Sequence, residues 1–319
     1  MAMLDQRVLP HRVEWVRLET WQEVSTAIRD MVVRGAPAIG VAAGYGLALA
    51  ALRGANFGEA TRGLAAARPT AVNLFWAIDR VSSLGEAPTF EEVLREAQAI
   101  EREDEAMNDA IGLAGATLIP DGARVLTICN TGSLATIGIG TALGVIRTAF
   151  EQGKVSEVLA CETRPRLQGL KLTAWELGQS GIPFRMIPDS AAASAMANQM
   201  VDIVIAGADR IAANGDSANK IGTYSLACLA SMHDFPFVIA APSSTIDAAM
   251  ATGASIPIEE RDAEEITMID GVRVAPEGTK VWNPGFDVTP GSMISAIVTE
   301  RGVFREPYDF SAGGARELS

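Results

Sequence analysis

The chain has 319 residues, 48% hydrophobic and 20% charged, enough apolar material for one large domain or two modest ones and too much for long disordered tracts. Its 39 acidic against 26 basic side chains leave a net charge of −13. That balance argues against the clustered positive surface that nucleic acid or an anionic membrane requires, although a single pocket can still be locally basic.

In chain order, residues 7–9 and 13–16 read as a small β-hairpin around Pro10. Residues 22–33 carry Val24, Ile28, Met31 and Val32 at helical spacing. The run 37–52 is nearly all small and apolar, and is shorter than the ~20 residues of a membrane span, so it reads as a buried helix. Helices follow over 71–83 and 90–118, the second with Val93, Leu94, Ala97 and Ile100 on one face. At Pro120 and Gly122 the rhythm changes. Short β-rich runs (124–129, 158–161, 184–187, 202–206, 237–240) now alternate with helical ones (134–150, 167–179, 191–199, 221–232). Such alternation predicts a parallel sheet covered on both faces. The expectation is an α/β protein: a small, mainly helical N-terminal domain with a short β-hairpin over 1–120, and a domain built on a parallel sheet over 121–319.

Chemistry is expected at the carboxyl ends of the strands, where open α/β sheets bind ligands. The run Val201 to Ala206 ends in Gly207-Ala208-Asp209, placing a carboxylate there. Burial would raise the Asp209 pKa and suit it to donate a proton, while a nearby Lys220 would oppose that shift. Asp209 also reads as a helix cap or a partner of Arg210. The segment Asn214 to Lys220 is expected to open a helix, with Asn219 and Lys220 at its start. Cys129 ends another strand, and a helix start directly after it would lower the thiol's pKa; the bland alternative is a buried cysteine acting as a small hydrophobe. Arg34-Gly35-Ala36-Pro37 leads into a helix whose N-terminus suits phosphate, with Pro37 in an early helical position; it equally reads as a core helix with a surface arginine. Arg164, Arg166 and Gln168 follow a third strand and read as phosphate or hydroxyl contacts, with Arg166 better explained by an ion pair to Glu162. Arg68, in a turn, is a weaker candidate for the same anion.

The excluded classes are also informative. Only His11 and His233 are histidines, and Cys129, Cys161 and Cys228 form no CxxC pair. These counts argue against a Ser-His-Asp site, a His-rich zinc site and a disulfide framework, and they point to free thiols in a reducing cytoplasm. No basic-then-apolar signal pattern opens the chain. Gly138-Ile139-Gly140 is a weak match to a dinucleotide-binding turn.

Taken with 28–40, 68–73, 162–169, 207–224, 241–247 and 281–290, these motifs identify a resemblance. The chain resembles the methylthioribose-1-phosphate isomerases of methionine salvage over almost its whole length, most diagnostically from Gly207-Ala208-Asp209-Arg210 to Asn219-Lys220. The resemblance implies a helical N-terminal domain joined to a Rossmann-like catalytic domain, usually in a homodimer, with a sugar phosphate as substrate and no cofactor or metal. It implies a catalytic pair, Cys129 and Asp209, and substrate contacts at Arg34, Gly35, Ala36, Arg68, Gln168, Asn219 and Lys220. Similar architecture occurs in regulatory subunits of the translation-initiation exchange factor and in ribose-1,5-bisphosphate isomerases. One departure stands out: many members are expected to carry histidine before the cysteine, and this chain has Ile128.

Overall fold

The computed structural model describes residues 1–69 and 71–311, so Thr70, beside the Arg68 turn, lies outside the described residues. The chain forms two compact units, Met1–Asp109 with Thr131–Gly140, and Ala110–Asn130 with the chain from Thr141 onward.

In the first unit β1 (Ala2–Leu4) pairs antiparallel with β2 (Trp15–Arg17). The strand expected at 7–9 does not form, because the Asp5 carboxylate accepts both the backbone N–H and the guanidinium of Arg7 and folds 5–7 into a turn. Five helices follow: α1 (Trp21–Arg29), α2 (Ala36–Leu52), α3 (Phe57–Ala65), α4 (Val72–Ser82) and α5 (Phe90–Ala116), the last belonging to this unit as far as Asp109. α1 starts at a capping box, in which Thr20 and Glu23 each accept the other's backbone N–H. α2 is apolar all round because α1, α3 and α4 pack about it. α3, which the periodicity missed, is nucleated by Asn56, whose side chain accepts the Glu59 N–H at 2.9 Å.

Residues 131–140 are irregular, whereas the sequence predicted a helix from 134. The first unit supplies their partners. Gln6 Nε2 donates to the Leu134 carbonyl at 2.6 Å, and the Ala38 N–H to that of Ala135 at 3.2 Å. The Asp104 carboxylate accepts the Ile137 N–H at 2.7 Å, and Asn108 Nδ2 donates to the Ile137 carbonyl at 3.0 Å. Asp104 is only 4% exposed, and burial pushes its pKa up to about 6 against the hydrogen bonds from Ile137 and Asn108. A carboxyl whose folded pKa lies above its unfolded one binds its proton more tightly when folded. Its contribution to stability is therefore full below the unfolded value and lost as pH rises through about 6. A rise of this size corresponds to about 3 kcal/mol. Urea unfolding between pH 4 and pH 7 should show this fall in the wild type, and Asp104→Asn should lessen it, leaving the share of Asp287, whose pKa burial raises likewise; an unchanged slope would mean that Asp104 titrates normally.

The second unit runs β3 (Ala123–Thr127), α6 (Ala142–Glu151), β4 (Val155–Cys161), a π-turn (Gly169–Thr173) continued by α7 (Ala174–Gln179), β5 (Phe184–Ile187), α8 (Ala192–Ala197), β6 (Ile203–Ala206), β7 (Arg210–Ala212), β8 (Ser217–Lys220) and α9 (Thr223–Met232). It continues with β9 (Phe237–Ala240), β10 (Ile246–Asp247), the hairpin β11–β12 (Met268–Ile269, Val272–Arg273), β13 (Phe286–Thr289), β14 (Ala296–Thr299) and β15 (Gly302–Phe304). Seven strands form one sheet in the order β15-β14-β9-β6-β3-β4-β5, parallel except for β15. Successive residues serve opposite faces. Val125, Val158, Ile203 and Val238 join one core with Ile146 of α6 and Leu177 of α7. Leu126, Leu159, Val204 and Ile239 join another with Met196 of α8 and Leu226 of α9. Burial on both faces is why these strands are near-continuous apolar runs.

A second sheet, β10-β7-β8-β13, is where the reading of 207–220 changes. Asn214 to Lys220 does not open a helix; it makes a turn and β8, because β13, which begins at Phe286, supplies an antiparallel partner. No helix among the described residues is long and apolar enough to cross a membrane.

Candidate active site

Strand order points to one place on the second unit as the candidate site. From β3 the sheet extends through β4 and β5 on one side, and from β6 through β9 and β14 on the other. In doubly wound sheets the crevice lies at the carboxyl ends of the two strands where the order reverses. Cys129 lies two residues beyond β3 and Asp209 three beyond β6, so the two candidates flank that reversal.

Cys129 is 9% exposed and left-handed, with φ of 67°. That conformation costs a non-glycine residue about 1–2 kcal/mol. Two hydrogen bonds offset it: the Cys129 N–H donates to Thr163 Oγ1 at 2.9 Å, and Thr173 Oγ1 donates to the Cys129 carbonyl at 2.6 Å. The helix start expected directly after Cys129 is absent, since α6 begins only at Ala142. Ile128 is buried and packs on Gly222, ahead of α9.

Asp209 is pinned through its backbone, its N–H donating to the Ala218 carbonyl at 2.8 Å. This brings it beside β8, which ends in Asn219 and Lys220. Lys220 is thus at a strand end, not a helix start. Its Nζ donates to the Gly285 carbonyl at 2.8 Å and lies 4.4 Å from the Phe286 ring centroid. Burial pushes the Lys220 pKa down, while Cys129 and Asp209 both pull it up, which puts the thiol and the carboxylate each within electrostatic reach of the lysine. Asn219 is buried, and its Nδ2 donates to Thr223 Oγ1 at 2.9 Å.

Gln168 enters from the loop after β4 and is 7% exposed. Its Oε1 is buried with no hydrogen-bond partner among the described residues, an arrangement proteins rarely leave unexplained. Arg164 donates to the Pro165 and Ile266 carbonyls. Arg166 pairs with Glu265 at 2.8 Å instead of the expected Glu162.

The first unit holds the remaining candidates. Gly35 caps α2 with φ of 93°, and a Cβ there would lie 2.3 Å from the Ala135 carbonyl oxygen. Pro37 has no N–H and that of Ala38 is taken by Ala135, so this helix end offers an anion the N–H groups of Gly35 and Ala36. Arg34 precedes them, and the half-buried Arg68 lies four residues before α4.

Sequence reasoning passed over Thr163, Thr173 and Asp287 as working residues. Asp287, opposite Asn219 across β8–β13, accepts the N–H groups of Gly222 and Tyr224 at 2.7 and 3.1 Å and so caps α9. Burial pushes its pKa up to about 6. Its only local signal was membership in the 281–290 motif. Among the described residues no group of three or more His, Cys, Asp or Glu side chains is placed to hold a metal ion.

Residues 32–306 match the model of the initiation factor 2 subunit family. A methylthioribose-1-phosphate isomerase of Anaeromyxobacter sp. (strain K) is 56% identical over 311 residues, covering 97% of this chain and 91% of that protein. The crystal structure of 5-methylthioribose 1-phosphate isomerase from Pyrococcus horikoshii OT3 superposes with a TM-score of 0.90 at 45% identity, covering 96% of this chain and 90% of that one. A structure named as translation initiation factor eIF-2B, subunit delta, from A. fulgidus superposes at 0.85 with 44% identity, covering 96% and 94%. The strand order, the residues at its reversal and these matches agree: the chain belongs to the initiation factor 2 subunit family and, within it, to the methylthioribose-1-phosphate isomerases.

Proposed function

We propose that the protein is an aldose–ketose isomerase that converts 5-methylthioribose 1-phosphate into 5-methylthioribulose 1-phosphate in methionine salvage. The observation that carries the reading is the placement of Cys129 and Asp209 just beyond the two strands that flank the reversal of the sheet, with Lys220 within electrostatic reach of each, in a chain 56% identical to a protein of that name. The alternative of a non-catalytic regulatory subunit, on which the match to the initiation-factor subunit of A. fulgidus also bears, has no use for an acid and a thiol at that point.

The substrate poses a specific problem. Phosphate on the anomeric oxygen prevents the ordinary opening to a free aldehyde, so the bond from C1 to the ring oxygen must break instead. Asp209, protonated, donates to that oxygen as the bond breaks. In one route Cys129 removes the C2 proton and returns it to C1 through an enol. In the other, hydride passes directly from C2 to C1 and Cys129 shields the cationic intermediate. Either way the C2 hydroxyl proton returns to the Asp209 carboxylate, leaving a C2 ketone and the starting enzyme. The reaction is redox-neutral within the substrate and, as proposed, calls on no cofactor. Gly35 and Ala36 N–H groups with Arg34 and Arg68 are proposed to hold phosphate, and Gln168, Asn219 and Lys220 the hydroxyls or phosphate. Buried Ile128 favours a dry site, where either intermediate resists water. A Rossmann-like second unit, for which the strand order speaks, a homodimer and a cytoplasmic location complete the reading.

Assay of the purified protein against 5-methylthioribose 1-phosphate, 5-deoxyribose 1-phosphate and ribose 1,5-bisphosphate tests it. The first is expected to have the highest kcat/KM; turnover of none would remove the enzyme reading, and preference for another would move the substrate. In deuterated water, solvent deuterium at C1 of the product marks the enol route, and full retention of a C2 label at C1 marks hydride transfer.

A further inference from the structure

Three adjacent strands end in a relay of hydrogen bonds that converges on Cys129. Beyond β5, the Asp189 carboxylate accepts the N–H groups of Thr163 and Arg164 at 2.8 and 2.7 Å. Beyond β4, Thr163 is fully buried and itself left-handed, with φ of 65°. Its hydroxyl donates to the Cys161 carbonyl at 3.1 Å and accepts the Cys129 N–H at 2.9 Å. On the other side of Cys129, the Thr173 hydroxyl, 1% exposed and carried by the π-turn, donates to the Cys129 carbonyl at 2.6 Å. Thr173 in turn accepts from Asn130 Nδ2 at 3.2 Å, and the same nitrogen donates to Glu176 at 2.8 Å.

We infer that Thr163 and Thr173 are positioning residues that hold Cys129 for its part in the isomerisation, one gripping each of its peptide groups. The inference rests on the proposed role of Cys129. The geometry favours it over plain structural satisfaction for two reasons. The residue to which both hydroxyls bond is the left-handed one just beyond β3. The grip also comes from two separate elements, the loop after β4 and the π-turn, so φ and ψ of Cys129 are fixed from both sides. A thiol released from this conformation would move relative to Asp209 and Lys220, whereas the proposed phosphate contacts at Arg34, Gly35 and Ala36 would be untouched. Loss of the grip should therefore appear in kcat and not in KM.

The test compares Thr173→Val, which keeps the shape and loses the hydroxyl, with Thr173→Ser, which keeps the hydroxyl, and runs Cys129→Ser beside them. A misplaced reacting group commonly costs about tenfold to 100-fold in rate. Thr173→Val is expected to lower kcat by about tenfold or more with KM within about twofold, and to change the rate and pH profile of Cys129 alkylation by iodoacetamide, read by mass spectrometry. Thr173→Ser should restore kcat to near wild type. Where the valine variant does not fold, Thr173→Ala against Thr173→Ser makes the same comparison, since the two differ only in the hydroxyl. Inactive Cys129→Ser together with equal kcat for variants with and without the hydroxyl would overturn this inference alone. Full activity of Cys129→Ser would overturn the role of the cysteine and this inference with it.

Discussion

Asp209→Asn is expected to lower kcat by about 10²–10⁴-fold, the range general acid catalysis commonly contributes. Asparagine has nearly the same shape, and the hydrogen bond that fixes this residue to Ala218 runs through its backbone, so the thermal midpoint should stay within a few degrees. What disappears is the proton for the ring oxygen. A second effect follows from Lys220, whose ammonium form is supported by Asp209 and Cys129 against burial. Once wild-type Asp209 has given up its proton it supplies one of those supports, which the asparagine variant lacks, so the lysine of the variant should be easier to deprotonate at that stage. Near-normal turnover on 5-methylthioribose 1-phosphate would remove Asp209 from its role.

Gly169→Ala should have the largest effect on folding. A Cβ at Gly169 would lie 1.8 Å from the Cys161 carbonyl oxygen and 2.8 Å from Thr163 Oγ1. Neither can retreat easily. The first is backbone at the end of a strand paired with β5, and the second is held between Cys129 and Cys161. Overpacking of this kind costs about 3 kcal/mol or more, which for a protein this size lowers Tm by about 5–10 °C. The same displacement would carry the π-turn, and Thr173 with it, away from Cys129, so activity should fall further than stability alone requires. Gly178→Ala is the control: it lies in α7, exposed, with nothing within 4 Å of its Cβ position, and should be neutral or slightly stabilising. Equal melting curves for the two variants would show that the strand end yields to the methyl group.

The parallel sheet was legible because its strands are buried on both faces. Runs such as 202–206 and 237–240 cover the observed strands β6 and β9, whose four residues are all buried, as strands covered on both faces require. Asp209 and Cys129 were legible for a related reason: each follows such a run, and strand ends in α/β sheets are where ligands sit. What escaped depended on partners far along the chain. β8 looked like a helix start because the strand that pairs with it, β13, begins at Phe286. The stretch from 134 looked helical because it is small and apolar, while its irregular course is held by Gln6, Ala38, Asp104 and Asn108. Thr173 gave no signal, being one hydroxyl in an apolar stretch 44 residues from the carbonyl it serves. Asp287 read as part of a motif without a task, because the N–H groups it caps lie 63 and 65 residues before it.

The dependence of residues 131–140 on the first unit bears on how this protein can be divided. The backbone leaves that unit after Asp109, returns for ten residues, and leaves again after Gly140. A fragment of residues 1–109 would keep Asp104, Asn108 and Gln6 but lack the peptide groups of Leu134 and Ile137 that they bind. Such orphaned polar groups cost about 1–3 kcal/mol each when they remain buried. The helical unit is therefore not a detachable module that recombination or a protease could release intact. Its fold is completed by residues 131–140, which the chain reaches only by way of residues 110–130 of the other unit, so a cut between the two stretches removes part of the helical unit itself.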